Sequence, residues 1–246
     1  MKVLSNLTVE NAPPQKIFPV DFNELRVDTS SLKIDDTKRD LNGNLICVVQ
    51  DNGDIDYNNI PPGLSVSFAS GEHNTVVLFE GTRFHKSRIT VNSFGSNIII
   101  NRTKYQIGNL AISVWGRRDR PKASVYVGEN VYCTGCTIQA RHHVHIGDNC
   151  ALAACSSIWS TDHHSIFDKY GNCINKDKPV FIGDNVWIAH SARILKGSYI
   201  SKNSVVGAGA LVSGIFTQPN VILAGVPAKI IKTEITWTLE RIYAMQ

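Results

Sequence analysis

The sequence predicts a left-handed parallel β-helix, and three observations carry that prediction. Aliphatic residues recur at every sixth position, at Ile182, Ile188, Ile194, Ile200, Val206 and Val212. Four residues after each comes a mostly small side chain, at Val186, Ala192, Ser198, Ser204 and Ala210, with Phe216 as the exception. Similar glycine turns recur at Gly128–Asn130, Gly147–Asn149 and Gly183–Asn185. Three such hexads form one triangular coil.

Each hexad supplies one short strand and one sharp corner. We expect the aliphatic side chain to point into the prism and the small one to fill the corner beside it. Successive coils then stack at roughly 4.8 Å by parallel strand pairing. An amphipathic helix would need spacings of three and four, which this pattern lacks. The register also extends backwards, through Val127, Cys133, Ile146, Leu152 and Ile158.

The predicted β-helix domain covers residues 61–232. Residues 159–180 interrupt its repeat, and a patternless break of that length indicates a functional loop. Residues 64–126 are expected to form irregular earlier coils, with an insertion near residues 117–122. Residues 1–60 precede the domain as a small N-terminal appendage, which contains Pro-Pro and Asn-Gly pairs. The sequence indicates no role for it. Residues 233–246 are predicted to form a short helix that caps the open end of the stack.

The composition excludes several classes of protein. A chain of 246 residues with 43% hydrophobic content can bury a substantial core. Its formal charge of +4 is mild and spread out, unlike the clustered lysines and arginines of a nucleic-acid binder. No apolar run is long enough for a signal sequence or a membrane span, which predicts a cytoplasmic protein. Its six cysteines are then expected to stay reduced.

Four segments in the C-terminal half carry a resemblance to a known family. They are Thr161–His164, Ile182–Ile188, Val206–Ala210 and Ala224–Lys229. In this order and at these distances they resemble the hexapeptide-repeat acetyltransferases, in particular the galactoside, maltose and capsular polysialic acid O-acetyltransferases. Trp237, beyond the repeat, also resembles a feature of the capsule enzymes. The resemblance implies an acyltransferase that uses acetyl-CoA and acts on sugar hydroxyls, with a capsular or other cell-surface polysaccharide as the first choice of acceptor.

Acyl transfer to a hydroxyl needs a base, and histidine has a suitable intrinsic pKa. The resemblance implies that this base is His164, with His163 as the rival. Ser165 follows where the family usually has proline, a departure that affects the loop backbone. Asp162 is a candidate catalytic residue that could orient an imidazole, although a loop aspartate is equally often a turn former.

The resemblance implies that Trp187 lies beside the catalytic groove, near the acetyl donor or the acceptor. A corner aromatic at a subunit interface is the alternative interpretation. Further contacts to acetyl-CoA are implied for His190, Ala208, Lys229 and Lys232. The two lysines would meet phosphates as point charges, where the galactoside enzymes use arginine. Lysines near a chain end can also be simply solvated.

Other functions remain as alternatives. The acceptor could instead be an amino sugar on a nucleotide carrier, which would be N-acetylated. Zinc γ-carbonic anhydrases share this fold and bind zinc between subunits with three histidines, two of which lie five residues apart. No pair among the six histidines from His142 to His190 has that spacing, so no metal is predicted. A catalytically silent scaffold is a further alternative. The hypothesis carried forward is a homotrimer with its sites between subunits.

Overall fold

The computed structural model describes residues 32–120 and 122–240, most of which lie in short strands or in the turns between them. Three sets of predictions fall partly outside these residues. They concern the first 31 residues of the N-terminal appendage, one residue of the insertion near 117–122, and residues 241–246 of the capping helix.

Twenty-four strands and one short 3₁₀-helix, Asp36–Lys38, make up the regular structure of the described residues. In chain order the strands are β1 (Leu45–Val49), β2 (Ile55–Asp56), β3 (Leu64–Glu72), β4 (Thr75–Phe79), β5 (Arg83–His85), β6 (Ser87–Phe94), β7 (Asn97–Ile100), β8 (Gln106–Gly108), β9 (Ala111–Trp115), β10 (Ser124–Val127), β11 (Tyr132–Cys133), β12 (Cys136–Ala140), β13 (Val144–Ile146), β14 (Ala151–Leu152), β15 (Ser156–Trp159), β16 (Val180–Ile182), β17 (Trp187–Ile188), β18 (Arg193–Ile194), β19 (Tyr199–Ile200), β20 (Val205–Val206), β21 (Leu211–Val212), β22 (Ile215–Phe216), β23 (Ile222–Gly225) and β24 (Ala228–Lys232).

The strands form three sheets, which are the three sides of a prism. Sheet I has nine strands in the order β2-β1-β4-β7-β10-β13-β16-β19-β22. Sheet II has eight, β24-β23-β20-β17-β14-β11-β8-β5, and sheet III has seven, β21-β18-β15-β12-β9-β6-β3. From β4 to β23 the chain visits sheets I, II and III in turn, and each strand pairs in parallel with the strand one coil away. The predicted parallel β-helix is confirmed.

The interior of the prism is filled by the residues of the repeat. All six aliphatic residues from Ile182 to Val212 have no exposed surface. The five small residues from Val186 to Ala210 are equally buried. Each aliphatic side chain stacks on its counterpart in the next coil, as in the pairing of Ile194 with Ile158 and Val212. The apolar residues that recur at every sixth position therefore form a continuous apolar interior along the prism.

The recurrent glycine turns form the corner between sheets I and II. A Cβ atom built on Gly147 would lie 2.7 Å from the backbone nitrogen of Asp184 in the next coil, so a side chain has no room there. Two residues later, Asn149 adopts a left-handed conformation with φ of 56°, which asparagine tolerates well. Asp184 Oδ1 accepts a 2.9 Å hydrogen bond from the Asp148 amide. Gly147, Asn149 and Asp184 therefore suit this corner for different reasons: the lack of room, the left-handed backbone and the hydrogen bond.

An aromatic ladder runs along the outer surface of sheet I. The rings of Tyr126, His145, Phe181 and Tyr199 stack in successive coils, with centroids 4.9, 4.7 and 4.8 Å apart and planes within 7° of parallel. These distances equal the spacing of neighbouring strands, so the register of the sheet imposes the stack. Burial lowers the pKa of His145 to about 4 and raises the pKa of Tyr126 to about 12.

The His145 pKa predicts that acid destabilises the fold. A histidine whose folded pKa lies below its usual value contributes stability above pH 6.5, and that stability is lost as the pH falls towards 4. We expect His145→Phe, which keeps the stack, to remove about 2 kcal/mol of the stability difference between pH 7 and pH 5. Urea unfolding at both pH values measures it. An unchanged pH dependence of stability in His145→Phe would contradict the assignment.

The N-terminal boundary of the β-helix differs from the predicted one. Strand β1 pairs in parallel with β4 over Leu45–Val49 and belongs to sheet I. The stack therefore begins at Leu45, within the predicted appendage of residues 1–60. The apolar run of β1 lies between two Asn-Gly pairs and has no sixfold register, which is why its pattern did not reveal a coil.

The capping helix predicted over residues 233–246 is wrong for residues 233–240, which contain no helix. Strand β24 turns back antiparallel on β23, and the chain then continues without regular structure along the prism. The Ile235 amide donates to the carbonyl of Asn220, and the Trp237 indole donates to the carbonyl of Asn185 at 2.7 Å. These long-range hydrogen bonds hold Ile235 and Trp237, which are half-buried, against the prism without a helix.

Candidate active site

The long loop lies where the repeat is interrupted, at the corner between sheets III and I. Strand β15 ends at Trp159 and β16 begins at Val180, so the loop has close to its predicted bounds. It folds back on itself through an antiparallel bridge between Phe167 and Cys173. Its base borders a cleft of about 150 Å³ that both loop histidines line, together with Trp115, Arg120 and Arg141.

His164 is exposed at this cleft, and its backbone is held at both ends. Its amide donates to the carbonyl of Asp162 at 2.7 Å, and its carbonyl accepts a 2.8 Å hydrogen bond from the Asn175 side chain. Within the part of the chain that the structure describes, the imidazole itself makes no hydrogen bond. An exposed imidazole that makes no such hydrogen bond is free to accept a proton from a substrate.

His163 has a different environment. Its φ of 61° is left-handed, its amide donates to Thr161 Oγ1 at 2.9 Å, and its carbonyl accepts from Arg141. The ring lies edge-on to Trp115 and Trp159, with centroid distances of 6.3 and 6.2 Å. Burial, followed by the charge of Arg141, lowers the pKa of His163. This imidazole is packed against aromatic rings, unlike its neighbour.

Asp162 bonds to the loop and to the prism beneath it. Its carboxylate forms an ion pair with Lys196 and accepts a 2.9 Å hydrogen bond from the Asn175 side chain. Burial would raise the pKa of Asp162, but the hydrogen bonds from Lys196 and Asn175 outweigh it and hold the pKa below its usual value. Asn175 thus bridges this carboxylate and the His164 carbonyl. Asp162 therefore supports the His164 backbone through Asn175, rather than hydrogen-bonding to an imidazole of the described residues.

Trp187 lies on the outer surface of sheet II, away from the loop. Its ring is 40% exposed and lies 6.0 Å from the ring of Trp237. The two indoles line a second cleft of about 240 Å³, together with Tyr132, Ala151 and Leu239. The apolar side chains and the exposed indole make this cleft suitable for a partly apolar ligand.

The residues predicted to contact acetyl-CoA lie on the same side of the prism as Trp187. His190 and Ala208 are exposed in successive coils at the corner between sheets II and III, where the Gly209 amide donates to the His190 carbonyl at 2.9 Å. Lys229 and Lys232 are exposed on β24, at the end of sheet II. Their exposed ammonium groups fit phosphate ligands.

Solved structures of acetyltransferases share this architecture. The chain superimposes on a polysialic acid O-acetyltransferase with a TM-score of 0.55 and 27% identity, over 80% of this chain and 89% of the other. A polysialic acid-specific acetyltransferase gives a TM-score of 0.59 at 23% identity, over 80% and 85%. This chain has the fold of the hexapeptide-repeat acetyltransferases. The predicted left-handed β-helix and the predicted resemblance are confirmed.

Curated relatives match a little less than half of this chain. The galactoside O-acetyltransferase of Escherichia coli (strain K12) is 36% identical over 113 residues, which are 45% of this chain and 54% of that protein. The polysialic acid O-acetyltransferase of Neisseria meningitidis is 41% identical over 102 residues, 41% and 47% of the two chains. The chain thus spans about half the length of these relatives. Both are named as O-acetyltransferases, the predicted enzyme class. No model of a protein family matches.

The hexapeptide-repeat fold separates the predicted site residues into two groups. His164 and Asp162 lie at the corner between sheets III and I, whereas Trp187, His190, Ala208 and the two lysines lie on sheet II or at its corner with sheet III. Sheet III lies between them, so the two groups lie on different sides of the prism formed by residues 32–120 and 122–240.

Sequence reasoning did not identify Asn175 and Lys196, which hold the loop, or Trp115 and Arg141, which line its cleft. They come from distant points of the chain, and no local pattern connects them. Among residues 32–120 and 122–240 no cluster of three or more histidine, cysteine or acidic side chains could hold a metal ion. Over the same residues no helix is long and apolar enough to cross a membrane.

Proposed function

We propose that this chain transfers the acetyl group of acetyl-CoA to a sugar hydroxyl, on a capsular or other cell-surface polysaccharide. The observation that supports this most is His164, whose backbone is held by hydrogen bonds and whose exposed side chain lines an open, cationic cleft. The relatives named as galactoside and polysialic acid O-acetyltransferases make a sugar the natural acceptor.

The chemistry needs only one base. His164 takes the proton of the acceptor hydroxyl as its oxygen attacks the thioester carbonyl, and the imidazolium returns that proton to the departing thiolate. The Asp162–Asn175 contact keeps the His164 backbone in place and so holds the ring in reach of the hydroxyl. Trp187 lies beside the acetyl group and, with backbone amides, stabilises the negative charge that develops on the carbonyl oxygen.

The residues on the other side of the prism fit the acetyl donor. In this proposal the cofactor passes the exposed corner at His190 and Ala208, and its phosphates reach Lys229 and Lys232. Lysine and phosphate meet at this exposed end of the stack as hydrated charges, which makes binding sensitive to salt.

A complete site then requires a second copy of the chain. Because sheet III separates the base from the donor residues, the loop of one protomer must reach the donor side of its neighbour. The loop tip is unusually apolar for an exposed segment, since Ile166, Phe167, Tyr170 and Ile174 are 55, 60, 76 and 63% exposed. A threefold ring closes three such contacts, so the proposal includes a homotrimer. Light scattering should give three times 27.1 kDa; a monomer at assay concentration would exclude the shared site.

The function is tested by thiol release from acetyl-CoA with a panel of acceptors. The panel contains purified polysaccharides, monosaccharides and nucleotide-linked amino sugars. Release that depends on a saccharide, with an ester-linked acetyl group in the product, supports the proposal. Release only with amino sugars, with an amide in the product, would replace it by N-acetylation. No release with any acceptor would indicate an inactive scaffold.

The role of Lys229 predicts a specific kinetic change. We expect Lys229→Ala to raise the KM for acetyl-CoA roughly fivefold, the scale of an exposed ion pair, and to leave kcat nearly unchanged. The KM should also depend less on salt concentration. Lys202→Ala, at an exposed lysine in the corner between sheets I and II, is the control and should behave like the wild type. A fall in kcat at constant KM would refute phosphate binding by Lys229.

A further inference from the structure

Two exposed indoles flank the loop cleft, and the proposed chemistry does not use them. Trp115 ends β9 and Trp159 ends β15, with 38% and 39% of their surface exposed. The His163 ring lies edge-on to both, and the Trp115 indole donates to Gln139 Oε1 at 3.3 Å. Because these contacts hold the rings in place, the exposed indole surface is preorganised rather than free to collapse.

The surface between these indoles is suited to sugars. Strand β12 separates β9 from β15, so the two tryptophans lie roughly 10 Å apart along sheet III. The outward positions beside them carry hydroxyl and amide side chains, at Ser113, Thr137, Gln139 and Ser157. Stacking on an aromatic ring combined with hydrogen bonds from small polar groups is the chemistry that recognises a pyranose, which has apolar faces and a hydroxylated rim.

The cleft next to the indoles carries an excess of positive charge. Four of its lining side chains, Arg117, Arg120, Arg141 and Lys176, are cationic, and Asp177 is its one carboxylate. Arg117 is paired with Asp119 outside the lining. Arg120 and Arg141 form no ion pair with any carboxylate that the structure describes. Two guanidinium groups that lack a carboxylate partner beside the proposed base favour an anionic ligand.

We propose that Trp115 and Trp159 form the acceptor subsite of this enzyme and that Arg120 and Arg141 bind a carboxylate on the sugar held there. The acceptor is therefore an acidic saccharide, bound across the outer face of sheet III with a hydroxyl directed at His164. This inference rests on the proposed function. It also assigns His163 a role as a spacer between the two indoles.

The subsite is distinct from the proposed donor site. The residues assigned to acetyl-CoA lie on sheet II and at its far corner, across the width of sheet III. Changes at the indoles or at Arg120 should therefore alter the KM of the acceptor and leave that of acetyl-CoA unchanged. If the arginines instead bound the phosphates of acetyl-CoA, the same changes would raise the KM of the donor.

Binding can be measured without acetyl transfer. We would titrate the full chain, without acetyl-CoA, with tetrasaccharides of sialic acid and of galacturonic acid and with the same compounds after reduction of their carboxylates to alcohols. Quenching of tryptophan fluorescence and saturation-transfer NMR report the contact. We expect at least one acidic tetrasaccharide to bind at least tenfold more tightly than its reduced form, with an affinity that falls as salt rises. Equal binding of both forms would overturn the proposal.

Three variants and one control assign the contacts. Arg120→Ala should weaken the binding of acidic tetrasaccharides roughly tenfold and reduce the salt dependence of that binding. Trp159→Ala should lose both the NMR contact and most of the binding, whereas Trp159→Phe, which keeps an aromatic surface, should retain most of it. Arg83→Ala, at an exposed arginine on sheet II, should bind like the wild type. Thermal unfolding verifies that each variant is folded.

The outcomes for the subsite and for the enzyme are separable. Carboxylate-dependent binding that Arg120→Ala weakens supports the subsite even if no acetyl transfer is found, a result that would defeat the proposed function alone. Acetyl transfer to neutral sugars with kinetics unchanged in Arg120→Ala and Trp159→Ala would support the function and overturn the subsite.

Discussion

Replacement of His164 by alanine is expected to lower kcat by roughly 10²–10⁴ while the Kd for acetyl-CoA stays nearly unchanged. A general base acts only as the hydroxyl proton leaves, so its removal costs stabilisation of the transition state and little binding of the ground state. The exposed imidazole makes no hydrogen bond to a described residue, and its loss should leave the fold intact. Initial rates and a separate donor-binding titration measure the two quantities.

His163→Ala is the matched control for this experiment. The two histidines are neighbours in one loop, but the His163 ring is packed against Trp115 and Trp159. We expect this variant to alter mainly the KM for the acceptor and to keep kcat within about tenfold of the wild type. If His163→Ala is the inactive variant, the base moves by one residue. If both variants keep full activity, catalysis by a loop histidine is wrong.

Gly147→Ala is expected to destabilise the protein by about 3 kcal/mol or more, because an added methyl group would overlap the backbone of the next coil. The clash is with the Asp184 nitrogen and the Gly183 carbonyl carbon, each 2.7 Å from the Cβ position. Neither atom can move without disturbing the stack of turns at this corner. The midpoint of urea denaturation measures the loss.

Gly81→Ala distinguishes steric overlap from backbone strain. Gly81 has a φ of 83°, but no atom lies within 4 Å of its Cβ position. Its substitution should cost about 1 kcal/mol, the conformational penalty alone. A cost for Gly147→Ala as small as that for Gly81→Ala would show that the turns adjust and that the close approach of the coils is not a constraint.

Much of the fold could be predicted from residues that repeat. The aliphatic residues from Ile182 to Val212 fill one position of every hexad, and all six are fully buried inside the prism. The earlier coils were harder to recognise because Leu45–Val49 pairs with β4 without following the hexad pattern. The predicted C-terminal helix was wrong for residues 233–240 because Ile235 and Trp237 are held by hydrogen bonds to coils far away in sequence.

The candidate site could be predicted only in part, for a related reason. The motif around His164 is local, and its resemblance to a known pattern identified the proposed base. The surroundings of that histidine are not local: Asn175 and Lys196 fix the loop, and Trp115 is brought beside it by the stacking of β9, β12 and β15. Single-sequence reasoning has no signal for contacts that depend on register between coils.

The sequence by itself determined the architecture. In a hexad repeat, the size and polarity of each residue decide whether it lies in the strand, at the corner or inside the prism. The sequence also determined which residues could act as a base or meet a phosphate. Only the tertiary structure decided how these residues are grouped: it placed His164 and Asp162 at one corner, and Trp187 and the lysines across sheet III. The physical reason is that distant residues share a face only when the coils between them bring them into register. That register depends on every turn and on the inserted loop along the chain.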